Sequence, residues 1–306
     1  MNIVKSLLIT GSNGFVGQSF LNYLEKVSAE FLPEKIILVN RNEVVPISST
    51  ISNRMDIISI KADLSQKWEF KVDASHVLNL AGDGSENAYT DRAAQSFVKI
   101  CENLAAWAAF SKPKVIVHAS SGACFYSASK NKNFLSKANL IFSRLEGEKI
   151  LAQLNNEHKM RVVAARLFTF IGPNMLAKQQ YAASMFIRDS IVNKVVNVTG
   201  NPNTIRSYMH ESTMSKWLAN CMINEKIHGI VTIGSSKPVT IRELAEFISN
   251  KTKAKIVIGN SEIEPSVYLP NNENILNILG LSEGPKWQDS VVECINMYGK
   301  GDVHFD

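Results

Sequence analysis

A doubly wound α/β fold, with a parallel sheet covered on both faces by helices, is predicted for this 306-residue chain by three observations. Short apolar segments recur at βα spacing. Helical patterns fill the gaps between them. A glycine-rich turn joins the first apolar segment to the first helical run. The length suffices for one large domain of this kind or for two unequal ones.

The first strand and helix carry the strongest signal. Ser6-Leu7-Leu8-Ile9 leads into Thr10-Gly11-Ser12-Asn13-Gly14-Phe15-Val16-Gly17. Phe15, Val16, Phe20, Leu21 and Leu24 then share one helical face. Gly11 permits the tight turn, Gly14 lets backbone approach a phosphate, and Gly17 lets the helix pack closely. Backbone N–H groups at the helix start, with the dipole behind them, attract a pyrophosphate. The expected ligand is a dinucleotide, NAD or NADP, cradled by Gly11, Asn13, Gly14, Phe15, Val16 and Gly17. The second strand ends Val39-Asn40-Arg41-Asn42, with no acid for a ribose 2′-OH. Arg41 suits a 2′-phosphate, which tips the choice slightly toward NADP; a solvated arginine is the alternative.

Strands are predicted at Lys5–Thr10, Lys35–Asn40, Ile57–Lys61, Val77–Leu80, Lys114–Ala119 and Val162–Leu167. Several are continuous apolar runs, as strands buried on both faces require. Helices are predicted at Phe15–Ser28, Ala93–Phe110 and roughly Ala138–Leu154. After Gly172-Pro173 strands shorten and loops lengthen, with helices expected at Ala182–Asn193, Glu211–Ile223 and Ile241–Lys251. The nominal division is a Rossmann-type NAD(P)-binding domain over 1–171 and a smaller substrate-binding subdomain over 172–306. Residues 229–250 are expected to return to the first, through a strand at Gly229–Ile233.

Apolar content of 45% and charged content of 20% are ordinary for a soluble globular protein. The net charge of +5 is scattered without a run of five basic residues, so nucleic-acid binding is not expected. Such a balance suits anionic small ligands, and surface solubility explains it equally well. Cys101, Cys124, Cys221 and Cys294 show no CxxC spacing and read as buried thiols of a cytoplasmic protein. No signal-like or long apolar segment is present, so neither export nor membrane spanning is expected. Asp73, Asp83 and Asp91 lack metal-ligand spacing, and no metal is expected.

Further motifs follow the Thr10 to Gly17 turn. They are Asp63-Leu64, Asn79-Leu80-Ala81-Gly82, Ser120-Ser121-Gly122-Ala123-Cys124-Phe125, Arg166-Leu167-Phe168-Thr169-Phe170-Ile171-Gly172-Pro173 and Arg206-Ser207-Tyr208-Met209. With these motifs the chain resembles the extended short-chain dehydrogenase/reductases of the NAD-dependent epimerase/dehydratase type over nearly its full length. Tyr268-Leu269-Pro270 and Ile278-Leu279-Gly280-Leu281 extend the match toward the end without adding chemistry. The resemblance implies adenine contact at Asp63 and Leu64, cofactor contact at Leu80 and Ala81, and a nucleotide-sugar substrate held by Arg206. Homodimers formed through helices flanking the sheet are common in the family; Ala93–Phe110 and Ala138–Leu154 are the segments available for one, and core packing explains their apolar residues equally well.

The catalytic centre departs from the family. Its members use a serine with a YxxxK pair on a helix, the tyrosine moving a proton and the lysine holding the nicotinamide ribose. Ser121 matches the serine. Registering the helix on Ser143, Leu145 and Glu148 puts Leu140 at the tyrosine and Arg144 at the lysine. Leucine transfers no proton, while arginine can bind ribose hydroxyls. A literal Tyr126-x-x-x-Lys130 begins too soon after Ser121, yet Tyr126 is the best phenol available as a substitute. His210 is a further acid/base candidate, a packed loop histidine being the other reading. His118 reads as a hydrogen-bonded core residue. Two functions follow: a nucleotide-sugar epimerase, dehydratase or reductase with an atypical site, or a catalytically silent binder acting as sensor or partner.

Overall fold

The computed structural model describes residues 4–27, 32–44, 46–82, 89–126, 137–175, 181–271, 278, 280 and 283–299. Lys130, Asp83, Leu279 and Leu281 lie outside them. Seven strands form one parallel sheet: β1 (Ser6–Thr10), β2 (Lys35–Asn40), β3 (Asp56–Lys61), β4 (His76–Asn79), β5 (Val115–Ser121), β6 (Arg161–Leu167) and, later in the chain, Gly229–Ile233. That last strand pairs Gly229 with Val163 and Ile233 with Leu167 at the β6 edge. The order, from that edge strand, is β6, β5, β4, β1, β2, β3. The chain moves outward from β1 to β3, then crosses back to β4 on the other side of β1. Such a reversal opens a crevice beyond the carboxyl ends of the strands.

The alternation of side chains explains the continuous apolar runs. Leu7, Ile9, Ile36, Leu38, Leu78, Val117 and Val163 enter one core, and Leu8, Ile37, Val39, Val77, Ile116 and Val162 enter the other. Period-two strands with both faces covered have no polar face to show. The first core is closed by α1 (Phe15–Lys26) through Phe20 and Leu24. The second is closed by α2 (Asp91–Ser111) through Phe97, Leu104 and Trp107, and by α3 (Ala138–His158) through Leu151 and Leu154. A short helical turn at Ser49–Ser52 precedes β3.

Both α2 and α3 are longer than the sequence pattern suggests. Thr90 caps α2, its hydroxyl accepting from the Ala93 N–H at 3.2 Å, which starts the helix at Asp91. Their C-terminal ends run on because lysines, rather than glycines, take the left-handed position that stops them. Lys112 has φ 50° and Lys159 has φ 55°.

Beyond β6 the chain forms short strands and helices: β7 (Phe170–Ile171), α4 (Ala182–Val192), β8 (Val195–Val198), β9 (Ile205–Arg206), β10 (Met209–His210) and α5 (Glu211–Ile223). After β11, which is the Gly229–Ile233 strand, come β12 (Val239–Thr240), α6 (Ile241–Thr252), β13 (Lys255–Ile258) and α7 (Trp287–Gly299). β8 and β13 pair in parallel, with α4 and α6 packed beside them.

A buried ion pair ties α3 to the sheet. The Arg166 guanidinium on β6 donates to both Glu148 oxygens, at 2.9 and 2.7 Å, and the Ser120 hydroxyl on β5 donates to Glu148 at 2.5 Å. Both charged side chains are under one-tenth exposed. Removing one partner leaves the other charge buried and uncompensated. Arg166→Ala is therefore expected to cost about 3–5 kcal/mol in urea unfolding, while Glu148→Leu with Arg166→Met stays near wild type. Equal losses in the single and double variants would contradict this account.

Candidate functional site

The turn between β1 and α1 is held from three sides. The Gly11 N–H donates to the Val39 carbonyl at 3.0 Å, and Gly14 N–H to the Gly11 carbonyl at 3.1 Å. Gly11 has φ +70°, and a Cβ there would fall 2.9 Å from the Leu80 backbone. A Cβ on Gly17 would fall 2.5 Å from Ser12 Cα, so this glycine lets α1 sit on the turn itself. Gly14 differs. It is exposed, and a Cβ there would meet only the Gly11 carbonyl at 3.4 Å. Its outer face is open.

The start of α1 has no side-chain cap and no acid in its first turn. Phe15 is buried and Val16 half-buried, so their side chains anchor the helix while the backbone N–H groups point at the open face. This donor set fits a pyrophosphate: a positive helix end, no competing carboxylate, and backbone accessible at Gly14.

Asn40 occupies the position where an acid would meet a ribose. Its amide donates to Ser12 Oγ at 2.7 Å and its oxygen accepts from the Asn13 N–H at 3.2 Å. Asn13 in turn donates to the Glu43 carbonyl at 2.7 Å. Arg41 is exposed beside this turn. Its charge helps hold the Asp63 carboxyl below the usual range, after the larger effect of the Ser65 hydroxyl, which donates at 2.8 Å. Asp63 is exposed and Leu64 buried, so this pair presents one polar group on an apolar anchor.

A polar chain crosses the sheet beneath the crevice. Thr10 Oγ1 donates to Asn79 at 2.6 Å and accepts from the Leu80 and Ala81 N–H groups, each at 3.1 Å. The Asn79 amide meets His118 Nδ1 at 2.9 Å. His118 is wholly buried against Phe97, and among the described residues its Nε2 has no partner. Burial, then the Arg144 charge, push its pKa down to about 3.

Arg144 reaches back from α3 to the end of β4. Its Cζ lies 3.5 Å from the Phe97 ring centroid, and a Cβ on Gly82 would fall 2.9 Å from Nη1. A cation therefore stands beside Leu80, Ala81 and Gly82. Leu140 lies one turn earlier and is half-buried.

Ser121 ends β5, and its Oγ accepts from the Ala123 N–H at 3.2 Å. Tyr126 closes the 3₁₀ turn Gly122–Tyr126, but its hydroxyl accepts from the Leu269 N–H at 3.1 Å and donates to the Leu269 carbonyl at 3.4 Å. His210 caps α5: Nδ1 accepts from the Ser212 N–H at 3.1 Å, and Nε2 lies 2.8 Å from Glu293 on α7. Thus Ser121 stands half-buried at the carboxyl end of β5, while the two expected proton carriers spend these atoms on loop and helix contacts.

Arg206, on β9, donates to the Ile205 and Ser266 carbonyls at 2.8 and 3.1 Å and to Ser266 Oγ at 3.1 Å. Burial lowers its pKa, and Lys137 is lowered first by burial and then by Arg206. Neither cation is in an ion pair among the described residues. Two partly buried like charges without a carboxylate favour an anion. The sequence reading missed Lys137, Asn40, and above all Tyr268. The Tyr268 hydroxyl is hydrogen-bonded to Ser121, its ring centroid 4.7 Å from that of Phe168 and 5.6 Å from that of Tyr126. The YxxxK spacing that draws attention to helical tyrosines gives no signal for a phenol arriving from so distant a segment.

No group of three or more potential metal ligands occurs among the described residues. None of the described helices is long and apolar enough to cross a membrane.

A model of the NAD dependent epimerase/dehydratase family matches residues 7–226. A search among curated proteins finds no significant match. Solved structures match nearly the whole chain. MoeE5 in complex with UDP-glucose and NAD is 17% identical, covers 97% of this chain and 100% of its own, and superposes with a TM-score of 0.80. The UDP-N-acetylglucosamine 4-epimerase of Methanobrevibacter ruminantium M1, in complex with UDP-N-acetylmuramic acid, is 18% identical with coverage of 98% and 99% and a TM-score of 0.81. The epimerase Mth375 of Methanothermobacter thermautotrophicus is 17% identical with coverage of 98% and 93% and a TM-score of 0.81. At these identities the likeness establishes the doubly wound fold.

Burial also makes the fold acid-sensitive. His76 is pushed down to about 4, first by burial and then by Arg161 and Lys114, and His118 to about 3. Both histidines take up protons near 6.5 in the unfolded chain and stay neutral in the folded one. The unfolded state binds more protons below that value, so stability falls as pH drops from about 6.5 toward 4. Urea midpoints measured across this range should show it, and His118→Gln should flatten part of the slope. A slope unchanged by that substitution would rule His118 out.

Proposed function

Because the chain belongs to the NAD-dependent epimerase/dehydratase family, we propose that it is an NAD(P)-dependent nucleotide-sugar epimerase, dehydratase or reductase with an atypical catalytic site. One observation supports the reading most. The uncapped start of α1 follows the carboxyl end of β1, and Ser121 ends β5 in the same parallel sheet. The Arg206 guanidinium lies 5.8 Å from the ring of Tyr268, whose hydroxyl is bonded to Ser121, and Lys137 feels the Arg206 charge. Several neighbouring structures hold NAD or a nucleotide sugar, which supports the same assignment.

Gly11, Asn13, Gly14, Phe15, Val16 and Gly17 would hold the pyrophosphate through backbone N–H groups. Asp63 and Leu64 would receive the adenine, Leu80 and Ala81 would wall the nicotinamide half, and Arg144 would meet its ribose hydroxyls. Arg41 favours NADP over NAD by offering a planar fork to a 2′-phosphate. When bound, the nicotinamide supplies a hydride acceptor or donor. Ser121 donates a hydrogen bond to the reacting sugar oxygen. Arg206, with Lys137, neutralises the diphosphate and so fixes the sugar's position. His210 would reach a substrate from the junction of β10 and α5.

A second reading, a silent binder of the same ligands, rests on Leu140, which puts no proton-transferring group on α3 at the expected position. The two readings part on turnover. Purified protein supplied with NAD(H) or NADP(H) and a panel of UDP-, GDP-, CDP- and dTDP-sugars is expected to change bound-cofactor absorbance and yield a product by chromatography or NMR. Binding without any turnover across the panel would select the silent reading. Gly14→Val should abolish cofactor binding, and Arg41→Ala should weaken NADP by about tenfold relative to NAD, the loss of roughly one charge-assisted hydrogen bond.

We further propose a homodimer through α2 and α3, on which Phe110 and Phe142 are 88% and 65% exposed. Light scattering should give twice the chain mass, and Phe142→Lys should lower it; a monomer at micromolar concentration would refute the pairing.

A further inference from the structure

We propose that Tyr268 is the proton-transferring phenol of this site, delivered to Ser121 from the segment after β13 in place of the helical tyrosine that Leu140 replaces. This rests on the reading that the crevice transforms a nucleotide sugar.

The geometry is specific. The Tyr268 hydroxyl shares a hydrogen bond with the Ser121 side chain at the carboxyl end of β5. The Tyr268 backbone is fixed by its N–H donating to the Ile205 carbonyl at 3.0 Å, next to the Val267–Ile205 bridge. Its ring lies 4.7 Å from the centroid of Phe168, and the Arg206 Cζ stands 5.8 Å from its own centroid. Phe168 packs that closely because Gly122 has no side chain; a Cβ there would fall 2.6 Å from the Phe168 ring. Tyr126 clamps both backbone polar groups of Leu269, so it positions the segment bearing Tyr268. A phenol locked this way by packing and hydrogen bonds meets the positional demand on an acid/base group.

Burial raises the Tyr268 hydroxyl above the ordinary tyrosine value, with the Ser121 hydrogen bond opposing it. Tyr268 therefore rests as the neutral acid. In the reductive direction, the carbonyl carbon of a keto sugar takes a hydride from reduced nicotinamide. The C=O electron pair moves to oxygen, and that oxygen takes the Tyr268 proton. The tyrosinate regains a proton from water through the Ser121 hydroxyl. Oxidation of the alcohol reverses each transfer, with oxidised nicotinamide as hydride acceptor.

The test compares wild type, Tyr268→Phe, Ser121→Ala and the double variant as full chains. Melting temperature and calorimetric affinity for UDP-glucose are measured alongside the pH profile of kcat on whichever panel sugar the wild type converts. Tyr268→Phe is expected to melt normally and bind UDP-glucose within about threefold of wild type. Its kcat should fall by about 100-fold or more, with the alkaline limb of the profile lost. The double variant should be no worse than the poorer single variant, since the two groups act as a unit. Should Tyr268→Phe misfold, Ser121→Ala alone must still give the kcat loss at unchanged affinity. A kcat within about threefold of wild type would overturn the proposal, as would a loss confined to affinity. A wild type inert toward the whole panel sinks the enzymatic reading and this inference together, whereas an active Tyr268→Phe sinks this inference alone.

Discussion

The backbone of Gly11 lies against the backbone of Leu80 with no room for a methyl group between them. This approach sets the crevice. β1 and β4 are hydrogen-bonded neighbours, and the Thr10 hydroxyl fastens the Leu80 and Ala81 N–H groups to the end of β1. Because those amides are already satisfied, Leu80 and Ala81 cannot move toward the cradle or away from it without breaking hydrogen bonds. The open face at Gly14 and the Arg144 cation above Gly82 thereby acquire a fixed separation. A ligand spanning both meets preformed walls, which lowers the ordering cost of binding.

α3 extends the same frame to the carboxyl end of β5. Its position is set by Glu148, which receives Arg166 from β6 and Ser120 from β5 in a site too dry to leave any of the three unpaired. Ser120 and Ser121 are adjacent, so one strand end carries both the structural anchor and the hydroxyl that meets Tyr268. Arg144 is one turn N-terminal of Glu148 on the helix. A single ion pair thus orients the cation beside β4 and the serine at the end of β5.

Much of this was legible in the sequence because it depends on local order. Strands buried on both faces appear as unbroken apolar runs, and the glycines of the turn are placed by backbone sterics alone. Helix ends were less legible: the Thr90 cap and the lysines at left-handed stops carry weak signals beside glycine or proline. The site divided in the same way. Ser121, Arg144 and the cradle sit on elements whose register a motif can fix. Lys137 and Tyr268 gain meaning only from contacts made after the chain has folded back, and Asn40 from a turn that folds onto it. Leu140 looks like a loss on its own helix. The span matched by the family model ends at residue 226, before the phenol that meets Ser121.

The lysines that stop α2 and α3 also show where part of the chain's positive charge sits. Lys112 and Lys159 precede β5 and β6, so they lie at the amino ends of the strands, on the rim opposite Gly14 and Ser121. Their charge answers the negative ends of those helices, offsetting part of the strain of a left-handed non-glycine residue. Lys114 and Arg161 stand on the same rim. These four basic side chains are thus spent near where helices finish, on the rim away from the crevice. On the crevice side stand the start of α1, the partly buried Arg144, Arg206 and Lys137, and the exposed Arg41. The three inner cations are partly shielded by protein, so their attraction for an anion should respond less to ionic strength than that of the exposed Arg41.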